Sequence, residues 1–242
     1  LYWADRLGIL VWDEMPSGRI FSSELIESIN TQWIELVLRD AGHPCVVGWV
    51  PFNESWGIWH VGQRPQQRAF ADSIYHLTKA LDPSRPVIGN DGWEYSSGDL
   101  WTLHVYYDEK KPLSEKLNDI YSNPQTSVTE AGKPRPAALP GSIPSELPIL
   151  LTECGGIGFL KPGDIVDTFA YGPIPKTEEQ LELAILEVIS QIERSNLLRG
   201  FVWTQLTDVQ QEINGLLYFD RKPKIPLKEI NRIMTRPYIK AN

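Results

Sequence analysis

The sequence predicts an α/β fold of parallel strands closed into a TIM (β/α)8 barrel, on three observations. Short runs rich in β-branched and aromatic residues alternate with stretches of helical periodicity, the order expected of parallel strands covered by helices. No G-x-G-x-x-G or G-x-x-x-x-G-K-[ST] occurs, so an open nucleotide-binding sheet lacks its usual marker; "CGGIGF" after Glu153 has the wrong spacing and no following lysine. Polar or aromatic residues close nearly every strand-like run, and strand carboxyl ends are where barrel enzymes place their chemistry.

Six runs read as buried strands: Gly8 to Glu14, Val46 to Glu54, Pro86 to Asp91, Leu100 to Tyr107, Pro148 to Glu153 and Gly200 to Gln205. Three helices follow from apolar residues sharing one face: Leu25, Ile29, Trp33 and Leu36; Phe70, Ile74, Leu77 and Leu81; Leu181, Ile185, Val188 and Ile192. Thr177 and Gln180 stand in capping-box spacing before the third, and Pro65 suits a first helical position before the second. From about 108 to 147 the chain is polar and proline-rich, with a short helix near Leu113 to Ile120. A segment of that length after a strand end reads as a lid or groove wall within one domain spanning 1–242.

With 42% hydrophobic and 22% charged residues, the 242-residue chain has material for one large core. A net charge of −8 and no basic stripe argue against a nucleic-acid partner. No apolar run approaches the roughly 20 residues needed to cross a bilayer. Cys45 and Cys154 lie beside apolar runs and read as buried thiols, and His43, His60, His76 and His104 show no ligand spacing, so no structural metal is expected. The chain opens at Leu1 inside the helix-like phrase "LYWADRLGILVWDE" and reads as a piece of a longer polypeptide, which leaves its compartment open.

The chemistry concentrates at two strand ends. Val50 to Gly57 reads "VPFNESWG", and a carboxylate closing a buried strand is costly unless paired, hydrogen-bonded or functional. Glu54 fits that description, and so does Glu153 in "PILLTECGG". Two strand-end glutamates about three βα units apart, at roughly 31 residues per unit, would face each other across a barrel mouth. Such a pair suits acid–base and nucleophilic work on a glycosidic bond. Asn53-Glu54-Ser55 also matches a glycosylation sequon, but its asparagine ends a buried strand. Asp13, Glu14, Asp91 and Trp93 suit a polar rim with aromatic platforms, and Trp56 a further platform, against surface solvation or salt bridging as the plain alternative. Asp208 and Glu212 suit either sugar hydroxyls or loop hydrogen bonds.

The phrases "LGILVWDE", "RDAGHPCVVGWVPFNESWG", "LPILLTECGG" and "GFVWTQLTDVQQEINGLLYFDRKPK", in that order, resemble the catalytic barrel of glycoside hydrolase family 2, the family of β-galactosidases, β-glucuronidases and β-mannosidases. The resemblance implies a retaining exo-β-glycosidase with no metal or organic cofactor and a β-glycoside as substrate, with a catalytically inert sugar-binding fragment of such an enzyme as the alternative. It assigns Glu54 as general acid/base and Glu153 as nucleophile, with the carboxyl groups roughly 5–5.5 Å apart. It assigns Asn53 to the sugar 2-hydroxyl, Trp203 to the indole beneath the sugar, and His104 and Tyr106 to the pair beside the nucleophile.

By the same resemblance the first two strands of a complete barrel and the preceding β-sandwich domains lie outside this chain. A parallel sheet with two open edges is expected to pair with a second copy or aggregate. Family β-glucuronidases grip the sugar carboxylate with an Asn-x-Lys phrase, whereas the matching place here reads Asn214-Gly215-Leu216. A neutral sugar is favoured, β-galactoside first, with mannoside or another neutral sugar open and β-glucuronide as an alternative.

Overall fold

A computed structural model describes residues 1–107, 111–128, 134–142, 144–160 and 168–236. The chain divides into two compact units, Leu1–Leu103 with Asn123–Leu150, and His104–Ser122 with Leu151–Asn242.

The first unit holds α1 (Tyr2–Leu7), β1 (Val11–Glu14), α2 (Ser23–Asp40), β2 (Val46–Val50) and α3 (Pro65–Leu81). β1 and β2 are parallel, with Val11 opposite Val46 and Glu14 opposite Val50. α2 begins where the Ser22 hydroxyl accepts the Leu25 N–H at 3.2 Å, an N-cap that satisfies one otherwise unpaired donor. Of its expected periodic residues Ile29 and Trp33 are buried, while Leu25 and Leu36 are half-buried and the neighbouring Val37 takes the buried place. α3 starts at Pro65, whose fixed φ and missing N–H cost nothing at a first helical position.

Trp33 of α2 meets Trp49 of β2 edge to face, centroids 6.2 Å apart, and both indoles are fully buried. Each ring also needs a hydrogen-bond acceptor: Trp33 Nε1 donates to Thr78 Oγ1 at 2.8 Å and Trp49 Nε1 to Asp82 Oδ2 at 2.9 Å. Asp82 in turn accepts from Ser84 and from Arg85, whose guanidinium donates to Val46 O and Ala41 O as well. Burial pushes the Asp82 carboxyl up, but the hydrogen bonds from Ser84, Arg85 and Trp49 outweigh it and hold it well below the usual carboxylate range. A lowered folded-state value stabilises the fold above the unfolded value near 3.8, and that stability is lost as pH falls below it. Thermal melts between pH 6 and pH 3 are therefore expected to fall more steeply for the native chain than for Asp82→Asn, which starts lower and loses this dependence.

The expected strand from Pro86 to Asp91 forms isolated parallel bridges, Trp49 to Val87 and Asn53 to Asp91, rather than a ladder. The Val87 N–H is taken by the Asp99 carboxylate at 2.9 Å and the Val87 carbonyl by the Asp99 N–H at 2.8 Å, so these groups are withdrawn from strand pairing. Residues 123–128 and 134–142, expected as part of a long loop, pack within this unit through Leu139 N–H to Tyr95 O at 2.9 Å and a buried Leu139 side chain. The rest of that loop includes 108–110, 129–133 and 143, which lie outside the described residues.

The remaining elements are β3 (Trp101–His104), α4 (Leu113–Ser122), β4 (Ile149–Gly155), α5 (Glu178–Arg194), β5 (Leu198–Thr204) and α6 (Leu227–Met234). The sheet order is β3-β4-β5. Partners rise together in number, from Val105 N to Glu153 O and Tyr107 N to Gly155 O, as parallel strands require. α4 confirms the short helix read in the loop. The Thr177 hydroxyl caps α5 by accepting the Gln180 N–H at 3.2 Å, while Gln180 Oε1 accepts from Lys176 N, one residue upstream of the capping-box partner. Leu181, Ile185, Val188 and Ile192 are buried on one face. α6 has only eight residues with Ile233 alone buried, too short an apolar face to show as periodicity in the sequence.

The fold is thus the parallel α/β arrangement of the TIM-barrel class, in a two-stranded and a three-stranded sheet, and no closed barrel forms among the described residues. No helix among them is long and apolar enough to cross a membrane. Cys45 and Cys154 are free and buried, as read from their neighbours.

Candidate active site

In the first unit the chain leaves β2 through Pro51 and Phe52 and turns sharply at Glu54 and Ser55. Both residues have positive φ, 52° and 59°, a left-handed conformation unfavourable for side chains other than glycine. The turn is held because the Glu54 N–H donates to Asp91 O at 3.0 Å and the Ser55 N–H to Asn90 Oδ1 at 3.0 Å. Asn53, Glu54 and Asp91 are therefore brought together as the sequence expected. Asn53 and Glu54 are half-buried, and Asn53 Oδ1 is buried without a hydrogen-bond donor. Trp56 is exposed and meets Trp59 at 4.3 Å between centroids, whereas Trp93 is half-buried with its carbonyl accepting from Asn90 Nδ2 at 2.7 Å.

In the second unit Glu153 lies near the end of β4 with its side chain one-quarter exposed. The Tyr106 hydroxyl donates to Glu153 Oε2, and the buried His104 imidazole holds Nδ1 at 3.6 Å from Oε1, too far for a direct hydrogen bond. Tyr106 is stacked on Tyr171, centroids 4.0 Å apart and planes within 3°. Trp203 of β5 lies over Gly155, its Nε1 buried without an acceptor. A Cβ on Gly155 would stand 2.6 Å from the indole Cε2, and the residue has φ +87°, so only glycine admits the ring there. Gly155→Ala is expected to displace Trp203 and cost about 1–3 kcal/mol of stability, which calorimetry measures.

Other expected site residues have structural partners. Asp13 lies against the Asp40 carboxyl, and burial with that neighbour raises its pKa to about 6; this is an interior pair, not a solvated rim. Glu14 ends β1 on the exposed side. Asp208 is buried and accepts from Lys224 Nζ at 2.7 Å and Gly215 N at 2.8 Å, so the loop-hydrogen-bond alternative describes it. Glu212 bridges Val209 through its backbone.

Three residues at these sites, Tyr171, Glu94 and Arg135, emerge only from the fold. Glu94 follows Trp93 directly and is 1% exposed, and a carboxylate beside a suspected aromatic platform was a usable sign. Arg135 sits among prolines in the long loop, where only its charge stands out.

Histidine spacing pointed to no metal ligands, yet folding brings Asp5, His43 and Cys45 donor atoms within 4.8 Å of one another. Hydrogen bonds from Cys45 and His43 hold the Asp5 carboxyl down to about 2, and burial pushes the Cys45 thiol up. With the carboxylate engaged by His43 Nδ1 at 2.6 Å and Cys45 N at 2.9 Å, the cluster ties α1 to the start of β2.

Residues 1–138 match the family model "Glycosyl hydrolases family 2, TIM barrel domain". The chain is 38% identical over 114 residues to a β-glucuronidase of Felis catus, covering 43% of this chain and 17% of that protein. It is 24% identical to a β-galactosidase of Pseudoalteromonas haloplanktis, covering 93% of this chain and 21% of that protein. Among solved structures, a family 2 β-galacturonidase from Eisenbergiella tayi superposes with a TM-score of 0.68 at 19% identity, covering 96% of this chain and 41% of that one. A β-D-glucuronidase of Dictyoglomus thermophilum gives 0.68 at 17% identity. The chain spans about a fifth of the length of these sequence relatives.

Proposed function

The chain belongs to glycosyl hydrolase family 2, and from that premise we propose that it carries the catalytic carboxylates of a retaining exo-β-glycosidase, Glu54 as general acid/base and Glu153 as nucleophile. The observation that carries this reading is the Tyr106 hydroxyl donating to Glu153 on β4. A hydrogen bond to the ionised form favours the carboxylate, the state a nucleophile needs. In the first step Glu153 attacks the anomeric carbon while Glu54 protonates the departing glycosidic oxygen, giving a covalent glycosyl-enzyme. In the second, Glu54 takes a proton from water as that water displaces Glu153 and restores the β configuration. Asn53, with a buried amide oxygen lacking a donor, suits a sugar hydroxyl that completes it in the transition state. Trp203 suits the apolar face of the ring, and Trp56, Trp93 and Asp91 the rim of the sugar site.

The sugar is proposed to be neutral, β-galactoside first. The place that carries an Asn-x-Lys phrase in the resembled β-glucuronidases is Asn214-Gly215-Leu216, and the nearby Lys224 is fully buried and bound to Asp208 and the Ile213 carbonyl. A β-glucuronide is the second reading, favoured by the β-glucuronidases at 38% and 37% identity.

A panel of activated 2-deoxy-2-fluoro β-glycosides tests both points. Fluorine at C2 slows both steps, while the activated leaving group keeps the first fast enough for the covalent intermediate to accumulate. The expected result is a mass increase of one fluorosugar on the peptide carrying Glu153, from the galactoside before the glucuronide. An adduct on another residue, or none with any sugar, overturns the assignment.

A further inference from the structure

Glu54 and Ser55 form a turn of two consecutive left-handed residues, an arrangement that relaxes unless its surroundings enforce it. What enforces it reaches well beyond the local backbone. Ser55 is fully buried; its hydroxyl donates to Glu94 Oε2 at 2.6 Å and accepts from Asn90 Nδ2 at 3.0 Å, while its N–H donates to Asn90 Oδ1. Ser55 is thereby fixed at both its backbone and its side chain.

Glu94 is itself 1% exposed and left-handed, at φ 50°. A carboxylate so deeply buried persists only with a charged partner, and Arg135 Nη1 supplies one at 2.9 Å. The same guanidinium nitrogen donates to Trp59 O at 2.8 Å, and the group lies 5.7 Å from the Trp59 ring centroid. Arg135 is brought there by paired backbone segments, Glu94 N–H to Pro136 O at 2.7 Å and Tyr95 N–H to Ala137 O at 3.1 Å. A proline-flanked arginine from the long loop thus ends, through one buried carboxylate and one hydroxyl, on the residue next to Glu54.

We propose that Arg135, Glu94 and Ser55 form a positioning relay that sets the Glu54 carboxyl for proton transfer. This rests on Glu54 being the general acid/base. None of the three touches the reacting atoms in this account; they act by holding the turn in a conformation its own residues disfavour. Removing the guanidinium leaves Glu94 buried without its cation, which loosens its hold on Ser55 and lets the turn drift.

The test separates proton transfer from general damage. Departure of an alkyl or unsubstituted phenyl aglycone requires protonation, whereas 2,4-dinitrophenolate departs without it. Arg135→Gln is expected to lower kcat/KM for the poor leaving groups on the order of 10²-fold, with little change for the dinitrophenyl glycoside. Ser55→Ala should show the same pattern in smaller measure, and Arg135→Lys should fall between native and Arg135→Gln. For the dinitrophenyl substrate, where the second step limits kcat, azide should restore the rate of Arg135→Gln and yield β-glycosyl azide. Equal losses across all leaving groups, with no response to azide, overturn the relay and leave Arg135 a merely structural residue. Glu54→Gln run in parallel separates the two claims: if it lacks the leaving-group dependence, or the native chain turns over no substrate, the acid/base assignment fails and the relay with it.

Discussion

With Glu153 as the proposed nucleophile, Glu153→Ala is expected to lose turnover by roughly 10⁴-fold or more, with the fold intact by circular dichroism, because a covalent nucleophile is not replaced by alanine. Glu54→Ala is expected to lose less on activated substrates, since only protonation and base catalysis are removed. Stereochemistry then tells the two apart. In Glu153→Ala, azide enters from the face the carboxylate vacated and displaces the aglycone once, giving the α-glycosyl azide. In Glu54→Ala, Glu153 still forms the intermediate, and azide displaces it on the other face to give the β product. The anomer is read by proton NMR from the coupling at C1. Identical anomers from both variants would overturn the division of roles, and unchanged turnover in Glu153→Ala would remove the nucleophile assignment altogether.

As candidates, these two glutamates stand out in the sequence because each closes an apolar run with a charge, a cost visible without coordinates. The helices were legible for a related reason: Leu181, Ile185, Val188 and Ile192 repeat at the helical period and are all buried, as are Ile29 and Trp33. What escaped depends on distant parts of the chain meeting. The spacing of Pro86 to Asp91 suggests a strand, but Asp99, twelve residues after Val87, takes the Val87 backbone groups and leaves isolated bridges. The relay behind Glu54 requires residues 134–137 to return beside Glu94, and nothing local to Arg135 announces that return.

The second large effect is expected at Lys224, where a buried charge supports the loop that follows Trp203. The ammonium is fully buried, donating to Asp208 Oδ1 and to the Ile213 carbonyl, both at 2.7 Å. Burial pushes its pKa down, and the Asp208 carboxylate pushes it part of the way back. Asp208 also accepts the Gly215 N–H, so one carboxylate joins the cation to the backbone of the loop. Replacing Lys224 with Met keeps the apolar stem but strands a buried carboxylate, and breaking such a pair from one side costs about 3–5 kcal/mol. For a domain of this size that corresponds to a melting temperature lower by about 10 °C. The double variant Asp208→Asn with Lys224→Met is expected to recover much of the loss, because the uncompensated charge is gone while the asparagine still accepts from Gly215. The loop is tied to the strand end by Gln205 N–H to Asn214 O at 3.2 Å and Leu216 N–H to Gln205 O at 3.0 Å, two residues beyond Trp203. Lys224→Met should therefore also raise KM well below its melting temperature, and the double variant should restore KM along with stability. Recovery of stability without KM would place Asp208 itself at the sugar, returning it to the role that its buried partnership with Lys224 argues against.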